Sequence, residues 1–241
     1  MKIFAANWKL NKNPAQTQEF FKAFLPSTGP SADKQTVFFV PSTNLQAAVD
    51  SVSGSHIKIG SQNCFWQNSG AFTGETSAQV VQQIGGQWIL LGHSERRSLF
   101  AETSEQISKK SQAVQQLKMI PLVCIGETLN ERESGKTFAI LEKQLTESLA
   151  LSLPDSELHI AYEPVWAIGT GKIASAEQVQ ETHAFVRQFL NKLGFKKSLI
   201  LYGGSVKADN SKQLLSIPNV DGFLVGGASL EPRSFLDIIN A

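Results

Sequence analysis

Four polar side chains stand at or just beyond the ends of apolar runs, and together they suit proton transfer beside a carbonyl. They are Asn7 and Lys9 in AANWK, His93 in LLGHSERR and Glu163 in AYEPVWAIGTG. A carboxylate shielded from water is a competent base for a carbon-bound proton. Imidazole and ammonium groups stabilise the oxyanion that forms when the proton leaves. Each residue also has a plainer reading: Glu163 as a salt-bridged support, His93 as a core or capping histidine, Lys9 as a solvated surface lysine. Their shared placement favours chemistry. Side chains at n and n+2 share a strand face, which groups Ala5, Asn7 and Lys9, then Ile89, Leu91 and His93, then His159, Ala161 and Glu163.

The flanking residues sharpen each role. Pro164 restricts Glu163 to extended backbone, and the following VWAIGTGK offers an apolar patch and a Gly-rich loop that could close over an anion and exclude water. Partial burial is expected to raise the Glu163 pKa unless a neighbouring positive charge cancels it. SERR after His93 predicts a short helix whose positive end disfavours an imidazolium, while a neutral imidazole can still donate a hydrogen bond. Glu95 is placed to pair with Lys9. LYGGSVKADN and FLVGGASLEP bring Gly203, Gly204, Ser205, Gly226 and Gly227 after two late apolar runs. Glycine allows close approach, and consecutive backbone N–H groups cradle phosphate.

Eight elements are available to position these groups. Strand-like runs fall at 2–9, 36–42, 57–64, 88–94, 119–126, 159–164, 198–204 and 221–227, several of them nearly continuous in apolar residues. That pattern belongs to parallel strands covered by helices. Helical patterns lie between them, near 14–25, 43–53, 77–85, 104–118, 134–150, 175–193 and 209–216, and a last one covers EPRSFLDIIN. Ser175 with Gln178 forms a capping box, and Gly194 is a stop. The alternation, with no GxGxxG fingerprint and no linker, favours a closed (β/α)8 barrel of the α/β class over an open doubly wound sheet, as one domain spanning 1–241. In a barrel the strand C-termini form the active-site face. Segments 26–35 and 151–158 read as irregular.

Composition excludes several other functions. Lys and Arg number 22 against 21 Asp and Glu, giving a net charge of +1 with the signs interspersed, so no nucleic-acid groove is expected. No apolar run reaches the ~20 residues of a membrane helix, and MKIFAANWKL turns polar too early for a signal segment. The two cysteines, Cys64 and Cys124, suit a reducing, cytoplasmic setting. Cys124 points to a barrel interior. Histidines at 56, 93, 159 and 183 lack metal-ligand spacing, and HExxH, CxxC, GxSxG and P-loop motifs are missing, so no metal is expected. His183 is expected on an exposed or interfacial helix face.

The motifs AANWK, GSQNCFWQNSGAFTGE, LLGHSERR, VCIGET, AYEPVWAIGTG, LYGGSV and FLVGGASL, in that order along nearly the whole chain, resemble the triosephosphate isomerase family. That family is itself the standing example of a glutamate base facing a neutral histidine. The resemblance implies a cofactor-independent interconversion of dihydroxyacetone phosphate and D-glyceraldehyde 3-phosphate, a step of glycolysis and gluconeogenesis. Glu163 would then carry the proton, His93 would act as neutral electrophile, Lys9 and Asn7 would bind substrate, and Glu95 would support them. Gly171, Ser205, Gly226 and Gly227 would hold phosphate. A lid would run through Pro164, Val165, Trp166, Ala167, Ile168, Gly169, Thr170, Gly171, Lys172, Ile173 and Ala174, latched by Tyr202 and Ser205. A homodimer is implied too, with Thr73 reaching the partner's catalytic end and Phe65, Trp66 and Phe72 at the interface. Another metal-free phosphosugar isomerase and a catalytically silent binding barrel are the alternative readings.

Overall fold

The computed structural model describes residues 1–168 and 174–240. Strands β1 (Lys2–Asn7), β2 (Lys34–Val40), β3 (Lys58–Ser61), β4 (Trp88–Leu91), β5 (Ile120–Ile125), β6 (His159–Tyr162), β7 (Ile200–Tyr202) and β8 (Gly222–Val225) pair in chain order. All are parallel, and β8 returns to β1 through the register Ile3 to Gly222, closing the barrel. The intervening helices are α1 (Pro14–Phe24), α2 (Leu45–Ser51), α3 (Ala78–Ile84), α4 (Ser94–Leu99), α5 (Ser104–Gln116), α6 (Leu129–Glu133), α7 (Thr137–Ser148), α8 (Ala176–Lys192), α9 (Ala208–Leu215) and α10 (Pro232–Ile239).

Two apolar layers follow from strand alternation. The barrel interior holds Ile3, Ala5, Val37, Phe39, Trp88, Leu90, Leu122, Cys124, Ala161, Leu201 and Leu224. The larger layer lies between sheet and helices, where α1 and α10 seal β1 and β2 with aromatic rings. Trp8 packs edge-on to Phe20 at 4.9 Å between centroids, and Phe38 to Phe235 at 5.3 Å. Local signals set the helix starts: Asn13 with Gln16, Thr103 with Gln106 and Ser175 with Gln178 each form a reciprocal cap.

Three expectations need correction. In β4 it is Trp88 and Leu90 that fill the interior, whereas Ile89 and Leu91 face the helices. Strict alternation would turn His93 outward as well. Gly92 breaks the count, because its φ of 67° is left-handed backbone that a side chain resists, and His93 thereby reaches the barrel mouth. Second, His183 is fully buried on α8, between Tyr162 and Tyr202, with Nδ1 2.9 Å from Asn219 O. Third, β2 begins at Lys34, inside the stretch read as irregular, and α6 was not anticipated. Thr128 caps α6 with Glu131, a signal that was present in GETLNE.

Candidate active site

At the C-terminal ends of the strands a cavity of about 250 Å³ is lined by Asn7, Lys9, His93, Glu163, Ile168, Gly203, Gly204, Ser205, Gly226 and Gly227, among others. Asn7 ends β1 and accepts the Lys9 N–H on Oδ1 at 3.0 Å. Lys9 lies two residues on, with φ 51°, left-handed backbone that costs a non-glycine residue on the order of 1–3 kcal/mol. Gln62 holds that turn, donating from Nε2 to Lys9 O at 2.9 Å and to Phe39 O at 3.0 Å. The Lys9 ammonium meets Glu95 Oε1 at 2.7 Å, the pairing expected from sequence.

Glu163 follows β6 and is almost fully buried. Its Oε1 lies 2.9 Å from His93 Nε2, and its Oε2 accepts the Ser94 N–H at 3.0 Å. Ser94 begins α4, so the carboxylate rests on a helix N-terminus. His93 Nδ1 in turn accepts the Glu95 N–H at 3.3 Å. That bond occupies the Nδ1 lone pair, so an imidazole carrying its proton on Nε2 satisfies both neighbours.

The His93 shift runs opposite to the sequence expectation, whereas at Glu163 the neighbouring charge and hydrogen bonds cancel the effect of burial, the exception that expectation allowed. For His93, burial opposes the charged form. The charge and hydrogen bond of Glu163, followed by Glu95, outweigh burial and raise it above the ordinary histidine value. For Glu163, burial favours the protonated acid, yet the His93 charge and hydrogen bond and the Ser94 N–H hold it below the ordinary carboxylate range. The carboxylate therefore stays ionised, but it is engaged with His93 and Ser94 in this arrangement.

The segment after Glu163 is anchored from outside the barrel. Glu127 Oε1 accepts from Arg132 at 2.7 Å, from Tyr162 Oη at 3.1 Å and from Trp166 Nε1 at 3.1 Å. Ser205 Oγ donates to Ala167 O at 2.9 Å, joining this segment to the loop after β7. Tyr202 is buried beside the Ala174 backbone, which partly counters the upward push of burial on its hydroxyl. Of the expected lid, Pro164 to Ile168 and Ala174 are described, and Gly169, Thr170, Gly171, Lys172 and Ile173 lie outside the described residues. Among the described residues no group of three or more His, Cys, Asp or Glu could hold a metal, and no helix is long and apolar enough to cross a membrane.

Phe65, Trp66, Phe72 and Thr73 lie apart from this cavity, on the loop between β3 and α3. Phe65 stacks on Trp66 at 4.0 Å and meets Phe72 at 4.4 Å, while Phe72 and Thr73 are exposed. Sequence reasoning found the ionisable groups of the mouth by type. It missed the Ser94 N–H, a backbone donor with no residue signature, and Gln62, whose partners are carbonyls set by the Lys9 turn.

Residues 2–241 match the family model described as triosephosphate isomerase. The chain is 54% identical over 237 residues to the triosephosphate isomerase of Bdellovibrio bacteriovorus, covering 98% of each chain. It is 46% identical to that of Solibacter usitatus, covering 99% of this chain and 98% of the relative. Against the triosephosphate isomerase of Latilactobacillus sakei it is 44% identical, with 99% and 97% covered.

Proposed function

The chain belongs to the triosephosphate isomerase family, and from that premise we propose how its residues divide the work. The chain is an isomerase that interconverts dihydroxyacetone phosphate and D-glyceraldehyde 3-phosphate through an enediolate. The observation that carries the assignment of roles is the convergence of Glu163, His93, Lys9 and Asn7 on one cavity whose far side is built from Gly203–Ser205 and Gly226–Gly227.

Glu163 takes the proton from the carbon beside the carbonyl and returns it to the neighbouring carbon, so the same carboxylate serves both half-reactions and no external base is consumed. To do so it leaves Ser94 and His93 and moves over the substrate. His93 then offers its Nε2 proton to the enediolate oxygens, and the Lys9 ammonium adds a fixed positive charge. As Glu163 withdraws, the influence that raises His93 recedes, and burial together with the Glu95 N–H on Nδ1 favours the neutral imidazole. Asn7 shapes the Lys9 turn. Glu95 orients the ammonium.

Phosphate is held by backbone donors around Ser205, Gly226 and Gly227, and by Gly171 of the lid. Ser205 and Tyr202 latch the lid, of which the Ser205 bond to Ala167 O is the described part. Water exclusion protects the enediolate from expelling its phosphate. The complete polar set of Asn7, Lys9, His93 and Glu163 around one cavity speaks against a silent barrel.

Residues 1–241 are read as one domain, and the protein as a cytoplasmic homodimer that works without a metal or an organic cofactor. A second cavity of about 490 Å³ beside Lys9, lined by Leu10, Gln62, Asn63 and Glu95 among others, supports docking of a partner's Thr73 loop. The purified protein should interconvert both triose phosphates at a rate unchanged by a strong chelator. Failure to turn over either substrate would reject the reading. Loss of turnover on chelation would reject its metal-free part.

A further inference from the structure

Glu163 lies beyond the end of β6, and its backbone hangs on the last residue of β5 and the turn that follows it. The Glu163 N–H donates to Ile125 O at 2.7 Å, and the Val165 N–H donates to Glu127 O at 3.1 Å. Between these two attachment points sits Gly126. Its α-carbon is packed so tightly on Glu163 that a side-chain carbon there would overlap the Glu163 carbonyl. Any displacement of Gly126 therefore passes directly to the backbone that carries the carboxylate.

Neither polar group of the Gly126 backbone has a backbone partner among the described residues. Both are taken by one side chain. Gln144 Oε1 accepts the Gly126 N–H at 2.8 Å, and Gln144 Nε2 donates to Gly126 O at 2.9 Å. Gln144 sits on α7, whose Leu141, Leu145 and Ser148 are buried, so its anchor is rigid. Around the clamp lies a cavity of about 220 Å³ that also touches Gly92, Ser94, Arg97, Glu163 and Val165. Freed from Gln144, the Gly126 peptide would border open space rather than packed side chains.

We propose that Gln144, through its paired hydrogen bonds to Gly126, is a positioning residue that fixes the backbone from which Glu163 transfers the proton. The proposal rests on the reading of Glu163 as the base. Bidentate amide contacts hold a peptide in both distance and tilt, and a misplacement of about 1 Å in a reacting group can cost on the order of a hundredfold in rate. Among the described residues, neither Gln144 nor Gly126 shares a hydrogen bond with the loops after β7 and β8 that are proposed to hold phosphate, so the clamp should act on proton transfer more than on ground-state binding.

The test compares Gln144→Leu, which loses both bonds, with Gln144→Glu, which retains an acceptor for the Gly126 N–H, in the full-length enzyme with D-glyceraldehyde 3-phosphate. The expected result is a kcat lower by roughly 10- to 100-fold for Gln144→Leu and an intermediate loss for Gln144→Glu, with KM within about threefold of wild type in both. Combined with Glu163→Asp, which itself misplaces the carboxylate, the losses should be less than multiplicative. Should Gln144→Leu fail to fold, Gln144→Glu carries the same criteria. Wild-type kcat in a folded variant, kcat and KM worsening in parallel, or fully multiplicative losses would each overturn the positioning role. Glu163→Gln separates the premises: inactivity there with an unaffected Gln144→Leu removes only the clamp, whereas full turnover of Glu163→Gln removes the base and the clamp together.

Discussion

At the scale of single residues, the Glu163 carboxylate accepts from two donors, His93 Nε2 at 2.9 Å and the Ser94 N–H at 3.0 Å, and this doublet explains both of its pKa consequences. Burial alone would push the acid up and the imidazole down. Each partner reverses the outcome for the other. In Glu163→Gln the charge that raises His93 is gone, leaving burial as the main influence. The His93 pKa should therefore fall below its wild-type value, as read from imidazole nitrogen shifts across a pH titration. An unchanged or higher value would show that Glu163 does not govern it. Residue type was enough to single out Glu163, Lys9 and Glu95, because an ammonium, a carboxylate and their pairing are written in side chains. The direction of the shifts was not legible, since it depends on which atoms face each other across two strands.

At the scale of elements, alternation and caps made eight strands and most helices readable, and the errors arose where backbone geometry departs from a regular period. The parity of β4 illustrates this. Counting from Ile89 gave the right destination for His93 by a wrong route, and only the left-handed Gly92 reconciles an outward Ile89 with an inward His93. Helix α8 shows the converse. Its apolar stripe was recognised, but His183 was expected on an exposed or interfacial face, whereas it fills the buried face beside Tyr162 and Tyr202. That burial lowers His183 to about 4. Between pH 6.5 and about 4 the unfolded chain takes up a proton there that the folded chain refuses, so this residue's contribution to stability falls as pH falls. The full loss is about 3 kcal/mol. Denaturant melts from pH 7 to pH 4 should show a shallower decline for His183→Asn than for wild type. Parallel declines would contradict the assignment.

At the scale of the whole molecule, the barrel brings residues of β1, β4 and β6 to one mouth, and one rim of that mouth carries apolar surface. Leu10 is 98% exposed and Phe100 67%, and both line the cavity proposed to receive a partner loop. Thr73→Arg should convert a two-chain sedimenting species into single chains and lower turnover, because a buried charge at that docking point is costly. A wild-type protein that sediments as one chain would contradict the dimer. The alternation of strands and helices made the barrel legible in the sequence, while the self-stacking of Phe65, Trp66 and Phe72 was not. In the proposed division of roles, every part of the mouth serves one event, transfer of a carbon-bound proton by Glu163. Solvent deuteron uptake at the reacting carbon of dihydroxyacetone phosphate, followed in Glu163→Gln, isolates that event. Uptake should fall at least about a thousandfold, while a non-reacting phosphorylated two-carbon acid still binds. Deuteron uptake at the wild-type rate in that variant would contradict it.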